Sequence, residues 1–127
     1  MDRNLPRVDE PPVILVRFGG NLARHEDPSF EIIIQEILDK MCLNFIFDFN
    51  RVKFLDSAGI GLVIKLASMI EKRGGSLLLC NPQKNVRSVF SMLGIDNRFR
   101  IFDDLGGALE NFGRLLRLEI ININYEL

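Results

Sequence analysis

The stretch NFIFDFNRVKFLDSAGIGLVIKLASMIEKRGGSLLLC, residues 44–80, contains the pattern that decides the fold. Residues 44–49 are apolar nearly throughout, which is typical of a central strand covered on both faces. Residues 58–72 have one apolar stripe and one polar side, which predicts an amphipathic helix. Two glycines end this helix, and residues 76–80 form a second buried strand. Strand, helix and strand in this order predict a right-handed unit with parallel strands.

The segment before this unit predicts a further strand and helix. Residues 13–18 (VILVRF) are apolar and end at Gly19-Gly20, so we predict a strand followed by a turn. A helix comes next, with Asp27 as its predicted N-cap and Pro28 at its first helical position. The apolar residues of this helix recur at helical spacing: Phe30, Ile33, Ile34, Ile37, Leu38 and Met41.

The segment after the unit continues the alternation. Asn81-Pro82 is predicted to start another helix, which Gly94 ends, and residues 99–102 form a short strand. Asp103 or Asp104 then caps a last helix, and residues 118–125 predict an extra edge strand. The prediction is an α/β fold whose mixed, mostly parallel central sheet has about four to five strands, with about four helices.

Length and charge limit the possible functions. At 127 residues the chain has the size of one domain. We expect a flexible N-terminal segment at 1–12, the folded domain at 13–117, and a C-terminal extension at 118–127 with the possible edge strand. Sixteen basic residues against seventeen acidic ones provide no basic surface for nucleic acid or for an anionic membrane, so neither partner is expected.

The expected location is the cytoplasm. The N-terminus has no apolar stretch that could serve as a signal peptide, and the apolar runs are far shorter than the ~20 residues that span a bilayer, so no membrane insertion is expected. Cys42 and Cys80 lie among hydrophobic residues, which predicts reduced core cysteines rather than a disulfide. Phe18 and Phe112 are considered for partner binding, but core packing is the prediction for both.

The segment FLDSAGIG, residues 54–61, is the candidate for function. Small residues crowd the first turn of the predicted helix, where backbone N–H groups are unpaired and carry partial positive charge. Ser57 therefore places a hydroxyl where a phosphate is well accommodated. The residues alone leave a simpler alternative open, in which Asp56 or Ser57 is an N-cap and the glycines permit close packing.

Residues 45–109 resemble the STAS domain (sulfate transporter and anti-sigma-factor antagonist) along most of their length. The resemblance depends on several marks at matching spacing. They are Asp48 in the central strand, Asp56-Ser57 before Gly59 and Gly61, Gly74-Gly75, Asn81-Pro82, and the LGID corner at 93–96. In the anti-sigma-factor antagonists of this family, the serine directly after the motif aspartate is the phosphorylation site, which implies Ser57 here.

The resemblance implies a regulatory binding module with no catalytic residues, metal or cofactor of its own. Its expected partners are an anti-sigma factor serine kinase of the ATPase fold, which phosphorylates and thereby releases it, and a metal-dependent serine phosphatase. The expected partner-binding residues are Asp56, Ser57, Ala58, Gly59, Ile60 and Gly61. The alternative is a constitutive STAS scaffold, or a regulatory module of a stress-sensing complex or of a membrane transporter.

Two features depart from the family pattern. The acidic residue usual after the first core strand is replaced by Ala23. The usual N-terminal hairpin is shortened, because residues 1–12 contain three prolines and little strand signal. We therefore expect the tail strand near residues 120–125 to occupy the edge that the hairpin leaves.

Overall fold

The computed structural model describes residues 12–22, 28–112 and 118–125. The elements are β1 (Val13–Leu22), α1 (Ser29–Asp39), β2 (Asn44–Leu55), α2 (Ser57–Lys72), β3 (Ser76–Cys80), α3 (Lys84–Met92), α4 (Ile95–Arg98), β4 (Ile101–Phe102), α5 (Leu105–Phe112) and β5 (Leu118–Tyr125). Residues 1–11 of the segment predicted to be flexible lie outside the described residues. So do Ala23 and Asp27, the predicted N-cap of α1.

The sheet has the strand order β4-β3-β2-β1-β5, and every pairing between these strands is parallel. The predicted α/β fold is therefore confirmed. Within the described ranges the sheet is wholly parallel rather than mixed, and it is accompanied by five helices, one of them a single turn.

Helices cover the two faces of the sheet unequally. On one face, α1, α2 and α3 pack against a large apolar cluster that includes Phe18, Phe47, Phe49 and Phe90. On the other face, α5 packs against a smaller cluster around Leu15, Ile46 and Leu78. Phe18 is 1% exposed, and Phe112 packs against the smaller cluster, so both aromatic residues belong to the core as predicted. Cys42 and Cys80 are also buried, as free thiols.

The turn predicted at Gly19-Gly20 is wrong. β1 continues through both glycines to Leu22 and stays paired with β2, which runs on to Leu55. Gly20 has a φ of +76°, and the ladder changes register on either side of this region. The glycines therefore produce an irregularity inside a strand, which a parallel partner tolerates because its pairing continues beyond it.

The helix start predicted at Asn81-Pro82 is also wrong. Asn81 takes a left-handed conformation with a φ of +59°, and α3 begins only at Lys84. The loop between them and the first turn of α3 cover the part of β2 that extends beyond β3. The Gln83 side chain donates to the carbonyl of Asn50 at 2.7 Å, and Asn85 donates to that of Lys53 at 2.7 Å. These side chains supply hydrogen bonds to β2 beyond the end of β3, whose pairing with β2 stops at Asp48.

Smaller differences occur at other element ends. Pro28 is the N-cap of α1 rather than its first helical residue. The short strand predicted at 99–102 is limited to Ile101–Phe102. Of the two aspartates predicted as the cap of α5, Asp104 accepts the backbone N–H of Gly107 at 2.8 Å.

The tail lies at the outer edge of β1. β5 pairs with β1 from Val13 opposite Leu118 to Gly20 opposite Tyr125. Ile123 is 5% exposed and packs in the large cluster, so the tail contributes to the core as well as to the sheet.

Candidate protein-interaction site

The site begins where β2 ends. Asp56 has an extended backbone, with φ −113° and ψ −173°, and its carboxylate accepts the backbone N–H of Gly59 at 2.9 Å. The backbone carbonyl of Asp56 accepts the N–H of Ile60 at 2.9 Å. Asp56 is therefore the N-cap of α2, and Ser57 is the first residue of the helix. Because Asp56 supplies the cap, the Ser57 side chain is not needed for this purpose, and the residue is exposed.

Replacing the capping aspartate tests this assignment. Asp56→Ala is expected to lower the free energy of unfolding by about 1 kcal/mol, because one backbone donor of the first turn loses its acceptor. Asp56→Asn retains a side-chain oxygen at the same place and is the matched control. Urea unfolding of the three proteins gives the comparison. Equal stability of Asp56→Ala and Asp56→Asn would contradict the capping role.

Two of the six predicted partner-binding residues lie in the interior. Gly59 is buried, and a Cβ there would overlap the backbone carbonyl oxygen of Leu22 and lie 2.7 Å from Cδ1 of Leu55. Ile60 is 4% exposed. The first turn of α2 therefore rests directly on the end of β1, which also accepts the N–H of Asp56 at 3.4 Å through the Leu22 carbonyl. This contact fixes the position of Ser57 relative to the sheet.

The other four predicted residues form an accessible patch together with Phe54. Ser57, Ala58 and Gly61 are exposed, Asp56 is half-buried, and Phe54 is 52% exposed at the end of β2. We call these five residues the Ser57 surface. A Cβ at Gly61 would meet nothing within 4 Å, so packing inside the chain does not require a glycine there. The surface has one charge, one aromatic side chain and otherwise very small side chains, which allows another protein to approach the backbone closely.

Asp48, another residue on which the family resemblance depends, lies away from the Ser57 surface, on the face of the sheet that α5 covers. Asp48 is 6% exposed, and its Oδ1 accepts the N–H of Asn50 at 2.9 Å and the side-chain amide of Asn81 at 3.4 Å. Arg17 Nε lies 3.6 Å from its other oxygen. These residues and Arg51 line a small cavity of about 190 Å³. From β2, Asp48 contacts β1 through Arg17 and the turn after β3 through Asn81, which is a structural role distinct from the Ser57 surface.

The partners of Asp48 were not recognised as a group in the sequence. Arg17, Asn50 and Asn81 come from three separate segments, and only the parallel pairing brings them together. The residue type of Asn81 is the local signal of a special turn, because asparagine adopts a positive φ more readily than most residues and has a φ of +59° here. Burial and then the charge of Asp48 raise the pKa of the neighbouring Cys80 thiol to about 12. This thiol therefore stays protonated at neutral pH, as expected for a core cysteine.

The part of the chain that the structure describes contains neither a cluster of metal-ligating side chains nor a helix able to span a membrane. Those residues contain no group of three or more histidine, cysteine, aspartate or glutamate side chains able to hold a metal ion. Their helices include none with the length and apolar character needed to cross a bilayer.

The family model of the STAS domain matches residues 5–108, most of the chain. The chain belongs to the STAS domain family. Among its relatives is the anti-sigma F factor antagonist of Paenibacillus polymyxa, 24% identical over 98 residues that make up 76% of this chain and 84% of the relative. The resemblance inferred from Asp48, Asp56-Ser57 and the later marks is thus confirmed.

Solved structures of STAS domains share the fold. The Bacillus cell fate determinant SpoIIAA in its phosphorylated form is similar, with a TM-score of 0.63 and 23% identity over 84% of this chain and 96% of that one. A sulfate transporter family protein from Wolinella succinogenes is also similar, with a TM-score of 0.62 and 21% identity over 87% of this chain and 94% of that one. Both confirm the STAS fold for this chain.

Proposed function

We propose that this chain is an anti-sigma-factor antagonist whose binding to an anti-sigma factor kinase is abolished when Ser57 is phosphorylated. The observation that carries the proposal is the exposed Ser57 at the first position of α2, on a surface of small side chains and directly after a separate capping aspartate. The similarity to the Paenibacillus polymyxa antagonist supports the binding role. The existence of a phosphorylated form of the similar SpoIIAA supports the phosphorylation.

The structure supports a switch that changes the surface and leaves the fold intact. A phosphoserine carries about −1.5 to −2 charges at neutral pH. The start of α2 favours negative charge, and Ser57 is exposed, so the phosphate has both space and a favourable helix terminus. A partner packed against the Ser57 surface would instead bury this charge beside the Asp56 carboxylate. Losing about 3 kcal/mol in this way weakens binding more than ~100-fold.

The remaining partners and the location follow from this role. The kinase that binds the antagonist is of the ATPase fold and uses Ser57 as its substrate, and a metal-dependent phosphatase removes the phosphate. The chain itself acts as a binding module and not as an enzyme. We place it in the cytoplasm, where its two free thiols stay reduced.

A binding experiment tests the proposal. The wild type, Ser57→Ala, Ser57→Asp and Ser88→Asp serve as baits in lysate of the source organism, and the retained kinase is purified for calorimetry. Ser88 is an exposed serine on α3 and provides the matched control. We expect Ser57→Asp alone to lose the kinase, with an affinity at least ~100-fold lower. Retention of the same proteins by all four baits would instead favour the constitutive scaffold.

A further inference from the structure

We propose that the partner bound at the Ser57 surface also inserts an apolar side chain, flanked by basic residues, into a groove between α1 and α2. The groove has a volume of about 380 Å³ and lies along the exposed sides of the two helices. Ile32 of α1 is 54% exposed beside it, and Pro28 and Met69 complete its apolar wall. This inference rests on the proposed function, since it assigns further contacts to the same partner.

The polar rim of the groove defines the chemistry of the occupant. Glu31 and Glu36 from α1 and Lys65 from α2 line it, so two carboxylates face one ammonium group. The groove therefore has an excess negative charge, which is complementary to a basic segment and unfavourable for an acidic one.

One of these carboxylates is incompletely satisfied. Glu31 Oε1 lies 3.4 Å from Lys65 Nζ, but Glu31 Oε2 is buried and has no hydrogen-bond partner in the described part of the chain. A buried acceptor left unpaired is costly, and a donor from outside removes that cost once the Glu31 side chain turns outward into the groove. A lysine, arginine or backbone N–H of the docked segment provides such a donor.

The groove is continuous with the Ser57 surface. Ser57, Gly61 and Lys65 are spaced four residues apart on α2 and are all exposed, so they share one face of the helix. Lys65 lies about 12 Å along the axis from Ser57, because an α-helix rises about 1.5 Å per residue. Gly61 between them has no side chain and open space around it, so a partner crosses this position close to the backbone.

The size of the Ser57 surface also requires further contacts. A specific protein interface buries roughly 800 Å² on each partner and is centred on large apolar anchors. The Ser57 surface has a single large side chain, Phe54, whereas the groove adds the exposed Ile32 and a recess beside it. Together they form one extended surface, whose end at Ser57 contains the switch.

Site-specific photo-crosslinking in cells of the source organism tests the inference. The photoreactive residue p-benzoylphenylalanine replaces Ile32, Ala58 or, as a control, Met92, an apolar residue of α3 that is 82% exposed. We expect Ile32 and Ala58 to crosslink the same ATPase-fold kinase and Met92 to leave it free. Ser57→Asp is expected to remove both crosslinks.

Affinity measurements with the crosslinked kinase provide the second readout. Ile32→Ser and Glu36→Lys are each expected to weaken binding at least ~10-fold, equivalent to ~1.4 kcal/mol, while Met92→Ser leaves it unchanged. If Ala58 captures the kinase while Ile32 captures nothing or a different protein, the groove inference is wrong and the proposed function stands. If neither photoreactive variant captures the kinase and the wild-type bait retains none from lysate, the proposed function fails and the inference fails with it.

Discussion

Gly59→Ala is expected to lower the free energy of unfolding by about 3 kcal/mol or more, a large effect for the addition of one methyl group. The added Cβ would overlap the backbone carbonyl oxygen of Leu22 and crowd Leu55. The obstacle at Leu22 is main chain, which cannot move aside by changing a rotamer. Either α2 lifts from the end of β1 or the protein fails to fold. Urea unfolding monitored by circular dichroism gives the measurement.

Gly61→Ala is the matched control two residues along the same helix. Its Cβ meets no atom within 4 Å, and alanine is favoured over glycine in a helix interior. We expect this variant to be more stable than the wild type by about 0.5–1 kcal/mol. Equal changes in the free energy of unfolding of the two variants would contradict the assignment of Gly59 to packing and of Gly61 to the open surface.

Phe18→Ala is expected to cost about 3–5 kcal/mol. The ring of Phe18 is 1% exposed, and its centroid lies 5.1 Å from that of Phe47, 5.5 Å from Phe49 and 6.1 Å from Phe30. Phe18 therefore joins β1 to β2 and to α1, and its removal leaves a cavity among rings that cannot all shift to fill it.

Phe54→Ala is the control, because it removes the same side chain from an exposed position. Phe54 is 52% exposed, so its removal is expected to change stability by less than about 1 kcal/mol. Thermal unfolding of wild type, Phe18→Ala and Phe54→Ala is the direct comparison. Comparable losses in both variants would show that the aromatic packing around Phe18 is not the source of the stability.

The fold was predictable largely because its apolar pattern is regular. β3 and α2 agree with their predicted ranges to within one residue, since a buried strand and an amphipathic helix have distinct periodicities. The errors at Gly19-Gly20 and Asn81-Pro82 have one cause. Both pairs favour turns locally, but their conformation is decided by contacts with segments that are distant in sequence.

The sequence predicted where the site lies, but not which of its residues are buried and which are exposed. Asp56 and Ser57 are both good N-caps, and residue type alone does not decide which one is turned outward. The choice depends on Gly59, whose contact with Leu22 sets where α2 begins. The sequence likewise does not show that Gly59 and Gly61 have different roles. Gly59 packs against the end of β1, whereas Gly61 faces open space.

The position of β5 has a consequence for biosynthesis. β1 contains the first described strand residues, but one of its edges is closed only by residues 118–125. While a ribosome is still making the segment in between, that edge has unpaired backbone groups that any passing strand can bind. This edge of β1 is therefore closed only after residues 118–125 have been synthesised, and until then its unpaired backbone favours aggregation.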